Sequence, residues 1–261
     1  MLEILNKSEV SSESSVKNSL SHSFQCVELK PDEFDDFVSA LVKIVPDHYL
    51  APNSVADILE RLGKKAAAQK LIDKIPEVKK IRSGDIGEIV TTDFIEESTK
   101  FFVPIRKLRW RDHRNMAMRG DDVIGVCANH SEQTVCFLKA EAKSYQSLNN
   151  DALSKARTEL DNDRGLPAPH ALGFVIDRLK DIGEDKLAHL LEKAQLVNGI
   201  NTDQVEHMLF VLTASNPASL QKDALFAYEG EIKQSSVGFR VSRHQELIAR
   251  VYQGVLDGLD S

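Results

Sequence analysis

Gly120-Asp121-Asp122-Val123-Ile124-Gly125 and Phe137-Leu138-Lys139-Ala140-Glu141-Ala142-Lys143 are the two stretches on which the reading of this chain turns. Each joins an apolar run to an acid, and the second sets a lysine two residues beyond its acid. Side chains alternate faces along a β-strand, so Glu141 and Lys143 share one face and Ala142 takes the other. Paired as neighbouring antiparallel strands, the two runs bring Asp122 and Glu141 together at one end of a sheet. Two ionised carboxylates suit a hard divalent cation, which offsets their repulsion, polarises a phosphoryl oxygen and lowers the pKa of a bound water. Lys143 would position that water or stabilise charge developing on phosphate. An acid-x-lysine triplet alone carries little. The full pattern of strand, acid, turn, strand, acid-x-lysine and helix points to phosphodiester hydrolysis.

The bulk composition sets the frame. With 261 residues, 42% hydrophobic and 28% charged, the chain can form a normal globular core. No apolar run approaches the roughly 18 residues of a membrane span. Met1 to Leu20 lacks the apolar stretch of a secretory signal. Cys26, Cys127 and Cys136 show no CxxC spacing and read as reduced thiols of a cytoplasmic protein. The formal net charge of −7 argues against coating nucleic acid by bulk charge. Locally, however, Lys100, Arg106, Lys107, Arg109, Arg111, Arg114 and Arg119 stand against a single acid, Asp112, and run directly into Asp121 and Asp122. Such a strip fits a polyanion held beside a cutting centre. Serine-nucleophile elbows, HExxH pairs and phosphate-binding P-loops are absent from the sequence, so any ATP dependence would come from a partner.

Periodicity places these motifs. Phe34, Phe37, Val38, Leu41, Val42 and Val45 predict a helix from Pro31 that Pro46 ends. Further helices are expected over Ser54–Leu62 and Lys65–Ile75. Ser83 or Asp85 would cap a helix running to about Ser98, with Glu88 in its first turns. Strands are expected near Ser23–Leu29 and at Phe101–Trp110, Asp122–Ala128 and Thr134–Ala142, with a hairpin turn at Asn129-His130-Ser131-Glu132. Helices follow at Ser147–Leu160, Pro169–Leu179 and Glu184–Leu196. His207–Ala214 reads as a buried strand, Gly238–Ser242 as a short edge strand, and Arg243–Leu256 as a closing amphipathic helix. The organisation expected is an N-terminal strand and helical region over residues 1–80 packing on a core of residues 81–261.

This order resembles the restriction-endonuclease-like core of the PD-(D/E)xK nuclease superfamily, an α/β fold whose central mixed β-sheet is flanked by helices. Glu88, Asp122 and Glu141-Ala142-Lys143 carry the resemblance. It implies Asp122 and Glu141 as ligands to Mg²⁺, with Mn²⁺ able to substitute, Lys143 as a catalytic residue and Glu88 as a supporting catalytic acid. The chain departs from the pattern in its adjacent Asp121 and Asp122, with no proline before them. Asp122 is preferred because it directly precedes Val123-Ile124, and Asp121 is the alternative. Arg106, Lys107, Arg109, Arg111, Arg114 and Arg119 are the expected nucleic-acid contacts, with Lys155 and Arg157 as further candidates.

A closer resemblance, carried by Gly84-Asp85-Ile86-Gly87-Glu88, Arg119 to Gly125 and Leu138 to Ser144 and covering most of the chain from about Leu29 to Val255, is to the HamA family, the nuclease component of Hachiman anti-phage defence systems. It implies DNA as substrate and a HamB-like helicase subunit as the partner that holds the nuclease quiet. Two alternatives stay open from the residues alone: a non-catalytic DNA-binding or scaffold subunit on the same fold, and a ribonuclease.

Overall fold

The computed structural model describes residues 9–17, 20–129 and 131–260. A polar hairpin of β1 (Glu9–Lys17) and β2 (Leu20–Glu28) comes first. Helix α1 (Phe34–Tyr49) follows, with Phe34, Phe37, Val38, Leu41 and Val45 buried along one stripe. Each such side chain contributes about 1.5–3 kcal/mol when removed from water. Two short helices, α2 (Pro52–Leu62) and α3 (Lys64–Ile72), lead to the long helix α4 (Lys79–Ser98). The antiparallel pair β3 (Val123–Asn129) and β4 (Thr134–Tyr145) comes next, then α5 (Asn150–Asp161), α6 (Pro169–Asp181) and α7 (Asp185–Lys193). The chain closes with β5 (Val205–Thr213), α8 (Ala218–Phe226), β6 (Lys233–Arg240) and α9 (His244–Asp260).

The six strands form one mixed sheet in the order β1-β2-β6-β5-β4-β3. The pairs β2–β6, β6–β5 and β5–β4 are parallel, and the outer pairs are antiparallel. Strand β5 sits inside it and is buried on both faces, as an unbroken apolar run requires. Helices α1, α4 and α9 cover one face, packing on Leu138, Ala140, Met208, Phe210 and Phe239. Helix α5 covers Leu209 and Val211 on the other, and α6 and α7 cover Val126, Phe137 and Val205. This is an α/β protein with a mixed sheet between helical layers, as the residues led one to expect.

Several elements differ from expectation. Helix α1 continues through Pro46 to Tyr49. Proline removes a donor, but its carbonyl still accepts from the Leu50 amide at 3.0 Å, and Val45, His48 and Tyr49 are buried beyond and beside it. Helix α4 begins at Lys79, so Asp85 is no cap; it lies inside the helix and is 2% exposed. Phe101–Trp110 is not a strand. Phe102 forms an isolated bridge with Val126, Pro104 offers no amide, and Lys107–Trp110 turns as a 3₁₀ helix. The expected short edge strand is the longer inner strand β6, flanked by β2 and β5. In the β3–β4 turn, His130 lies outside the described residues. Cys127 and Cys136 are cross-strand partners, free and partly buried. No described helix is long and apolar enough to cross a membrane.

Candidate active site

The β3–β4 register builds the site. Val123 faces Ala140, so Asp122, one residue before β3, stands across from Glu141. Glu141 and Lys143 lie beside Leu209 and Val211 of β5 and share their face. The Asp122 carboxylate accepts a hydrogen bond from the Ala142 amide at 3.0 Å, which ties the loop before β3 to the acid-x-lysine segment. Lys143 donates to Glu141 Oε1, and its ammonium lies 3.9 Å from Asp122 Oδ2. Helix α4 supplies Glu88 from above. It packs this close because Gly87 has no Cβ; one built there would stand 3.1 Å from Ser144 Cβ. Ser83 of α4 and His244 of α9 both hydrogen-bond Ser144 Oγ, at 3.0 and 2.9 Å, and so fix the residue after Lys143.

Burial and the Asp122 charge perturb Glu141 and Glu88. Burial, then the Asp122 charge, push the Glu141 carboxyl up to about 8 against the pull of Lys143. Glu88 is pushed up to about 7 by burial; Lys107 opposes this, and Asp122 and Asp85 add to it. Burial pulls the Lys143 ammonium down, but Glu141 and Asp122 outweigh it and the pKa lies above the ordinary lysine value. Among the described residues, no three His, Cys, Asp or Glu side chains converge as a ready-made metal site. Asp122 and Glu141 nonetheless present the donors a small hard cation uses, since Mg²⁺ is usually held by one or two carboxylates with water and phosphate completing the shell. Glu141, whose ionisation is suppressed by burial and by the Asp122 charge, is a group that a cation would relieve.

Asp121 and Asp122 separate cleanly. Asp121 accepts from the Ala168 amide at 2.8 Å and lies 3.5 Å from the Lys139 ammonium, whose side chain is 2% exposed. Lys139 also donates to the carbonyls of Asn162 and Leu166. Asp121 is thus held in a structural ion pair, and Asp122 faces the cleft.

The basic strip is distributed differently from a free phosphate-binding rim. Arg111 is in the core: it forms a forked ion pair with buried Asp85, which also accepts from Tyr49. Arg106 pairs with Glu96, Arg109 donates to the Asp47 carbonyl, and Arg114 binds Glu77 and the Ile72 carbonyl. Arg119 lines a cavity of about 190 Å³ behind the acids. Lys107 sits among the acids themselves, 3.4 Å from Glu88 and 3.8 Å from Asp122.

The open side of the site is a cleft of about 560 Å³ that contains Glu88, Asp122 and Lys143. Its walls carry Lys79 and Lys80 from the first turn of α4, Lys155 from α5, and half-buried Tyr145 at the end of β4. Among the described residues none of these three lysines has an ion-pair partner; all are exposed. Lys79 and Lys80 were not among the residues expected to bind, since the helix was expected to start at Ser83 or Asp85. The adjacent lysines before an apolar helical run were the available signal.

A mixed sheet between helices, with acid, acid and lysine at the meeting of β3 and β4, defines an α/β protein with a nuclease-like core. The family model for HamA matches residues 2–255, and the chain belongs to the HamA family. It is 27% identical over 183 residues to the Hachiman protein HamA of Bacillus cereus, an alignment covering 70% of this chain. The chain spans 64% of that relative's length.

Proposed function

We propose that this protein is a metal-dependent nuclease that hydrolyses phosphodiester bonds in DNA, acting in anti-phage defence beside a HamB-like helicase subunit. The observation that carries the reading is the convergence of Asp122, Glu141 and Lys143 where β3 meets β4, with Asp122 and Lys143 lining a cleft whose wall lysines have no ion-pair partner among the described residues. A Mg²⁺ ion held by Asp122 and Glu141 would polarise a phosphoryl oxygen and make a bound water a better nucleophile. The chain's own groups do the rest. Lys143 donates hydrogen bonds to the attacking water or to a non-bridging oxygen as charge grows on it. Lys79, Lys80 and Lys155 hold flanking phosphates, and Tyr145 offers a ring to a base. Glu88 adds negative charge behind Asp122. Arg111 is left out of the binding set because Asp85 already occupies it.

The test is cleavage of plasmid, linear DNA and RNA with Mg²⁺, by the chain alone and with its helicase partner. DNA cleavage that stops with chelator and in Lys143→Met supports the reading. Cleavage of RNA alone moves the substrate class to RNA. DNA binding without turnover in every preparation would make the chain a scaffold.

A further inference from the structure

Lys107 has an unusual place for a member of a basic strip. Its side chain is 13% exposed, and its ammonium lies between Glu88 Oε2, at 3.4 Å, and Asp122 Oδ1, at 3.8 Å. It also donates to the Asp121 carbonyl at 3.0 Å. The two oxygens of Asp122 are therefore divided: Oδ1 faces Lys107, and Oδ2 faces Lys143 and the Ala142 amide.

We infer that Lys107 stands where a second divalent cation would otherwise be bound, so that the site works with a single cation held by Asp122 and Glu141. This rests on the metal-dependent reading above. Two-metal phosphodiesterases hold their ions roughly 3.5–4 Å apart, each on carboxylate oxygens. The cluster offers two such pairs, Asp122 with Glu141 and Asp122 with Glu88, and the second is bridged by the Lys107 ammonium. Charge leads to the same conclusion. Glu88, Asp122 and Glu141 carry three negative charges when ionised, against two positive from Lys107 and Lys143. One divalent cation turns a small negative excess into a small positive one, which suits a phosphate. A second would leave a large uncompensated excess in a buried place.

Lys107 is also tethered. It belongs to the 3₁₀ turn Lys107–Trp110, whose Leu108 is buried. Its carbonyl partner Asp121 is fixed in turn by Lys139 and the Ala168 amide. The ammonium is thus a built part of the cluster.

The experiment is a Mn²⁺ titration of the full chain followed by electron paramagnetic resonance of the free ion, which counts bound metal without turnover. One Mn²⁺ per chain, lost in Asp122→Asn, is the expected result, with a rise to two in Lys107→Gln and a return to one in Lys107→Arg. Two ions bound by the wild type and lost together in Asp122→Asn would overturn the inference while leaving a metal nuclease. A folded Lys107→Gln that still binds one would overturn it too. No ion bound by the wild type would remove the metal-dependent reading itself. Circular dichroism reports the fold of each variant, and if Lys107→Gln does not fold, the wild-type count decides.

Discussion

Asp121 and Asp122 are neighbours in sequence and opposites in role: Asp121 is the counter-ion of buried Lys139, and Asp122 faces Lys143 across the mouth of the cleft. Removing the Asp121 charge leaves Lys139 unpaired where its side chain is 2% exposed. Asp121→Asn should therefore cost about 3–5 kcal/mol of stability. Asp122→Asn should change stability by less than about 1 kcal/mol, since an amide oxygen still accepts from Ala142. It should lower cleavage by about 10²-fold or more, the scale of losing one transition-state charge contact. Denaturant unfolding and cleavage assays on both variants check this; a stable, active Asp121→Asn would reverse the assignment.

The Asp85–Arg111 pair holds α4 to the segment that carries the basic strip. Breaking one side leaves a buried charge alone, so Arg111→Met should destabilise the fold by about 3–5 kcal/mol. The double variant Asp85→Leu with Arg111→Met should recover most of that loss. Equal unfolding midpoints for the single variant and wild type would mean that the pair contributes nothing net.

Lys79, Lys80 and Lys155 predict the salt dependence of binding. Each lysine that neutralises a phosphate steepens the slope of log affinity against log salt by about 0.7–0.9. Replacing each by alanine should flatten the slope by that amount, whereas Arg114→Ala, whose guanidinium binds Glu77, should leave it unchanged. Fluorescence anisotropy at several salt concentrations, with Ca²⁺ in place of Mg²⁺, measures it. A flattening confined to Arg114→Ala would move the track back to the basic strip.

Acid should weaken the fold through His207. Burial lowers its pKa to about 4, and its Nε2–H donates to the Gly165 carbonyl at 2.7 Å. The unfolded chain takes up a proton near pH 6.5 while the native histidine stays neutral, so stability falls as pH drops from about 6.5 to about 4, by roughly 3 kcal/mol for this group at most. His244, also lowered by burial to about 4, adds in the same sense. Urea unfolding at pH 7.5, 6 and 4.5 should show the decline, and His207→Gln should reduce it. An identical pH slope in that variant would clear His207 of the effect.

Much of this was readable from the residues because two simple periods carry it. The 3.6-residue stripe marked α1, and the alternation of Phe137 to Lys143 placed Glu141 and Lys143 on one face. The start of β3 followed from Asp122, whereas β4 runs past the expected Ala142 to Tyr145. What escaped was polar material that the fold buries. Strand β6 was shortened because Gln234 and Ser236 look exposed, yet both are buried, with Ser236 accepting from Gln221. The serine-rich edge strand β1 has no apolar face to announce it. Lys107 and Arg111 resembled their solvated neighbours because only the return of β3 and α4 decides what each meets.

Lys143, Glu141 and Asp122 are proposed as a metal-dependent cutting centre. This is tested by Mg²⁺-dependent cleavage of closed-circular DNA by the purified chain, alone and with a HamB-like helicase subunit added, comparing wild type with folded Lys143→Met and Glu141→Gln. Wild type should cut and chelator should stop it, with a loss of about 10²-fold or more in both variants. Undiminished cutting by either folded variant, or none by wild type, would contradict it.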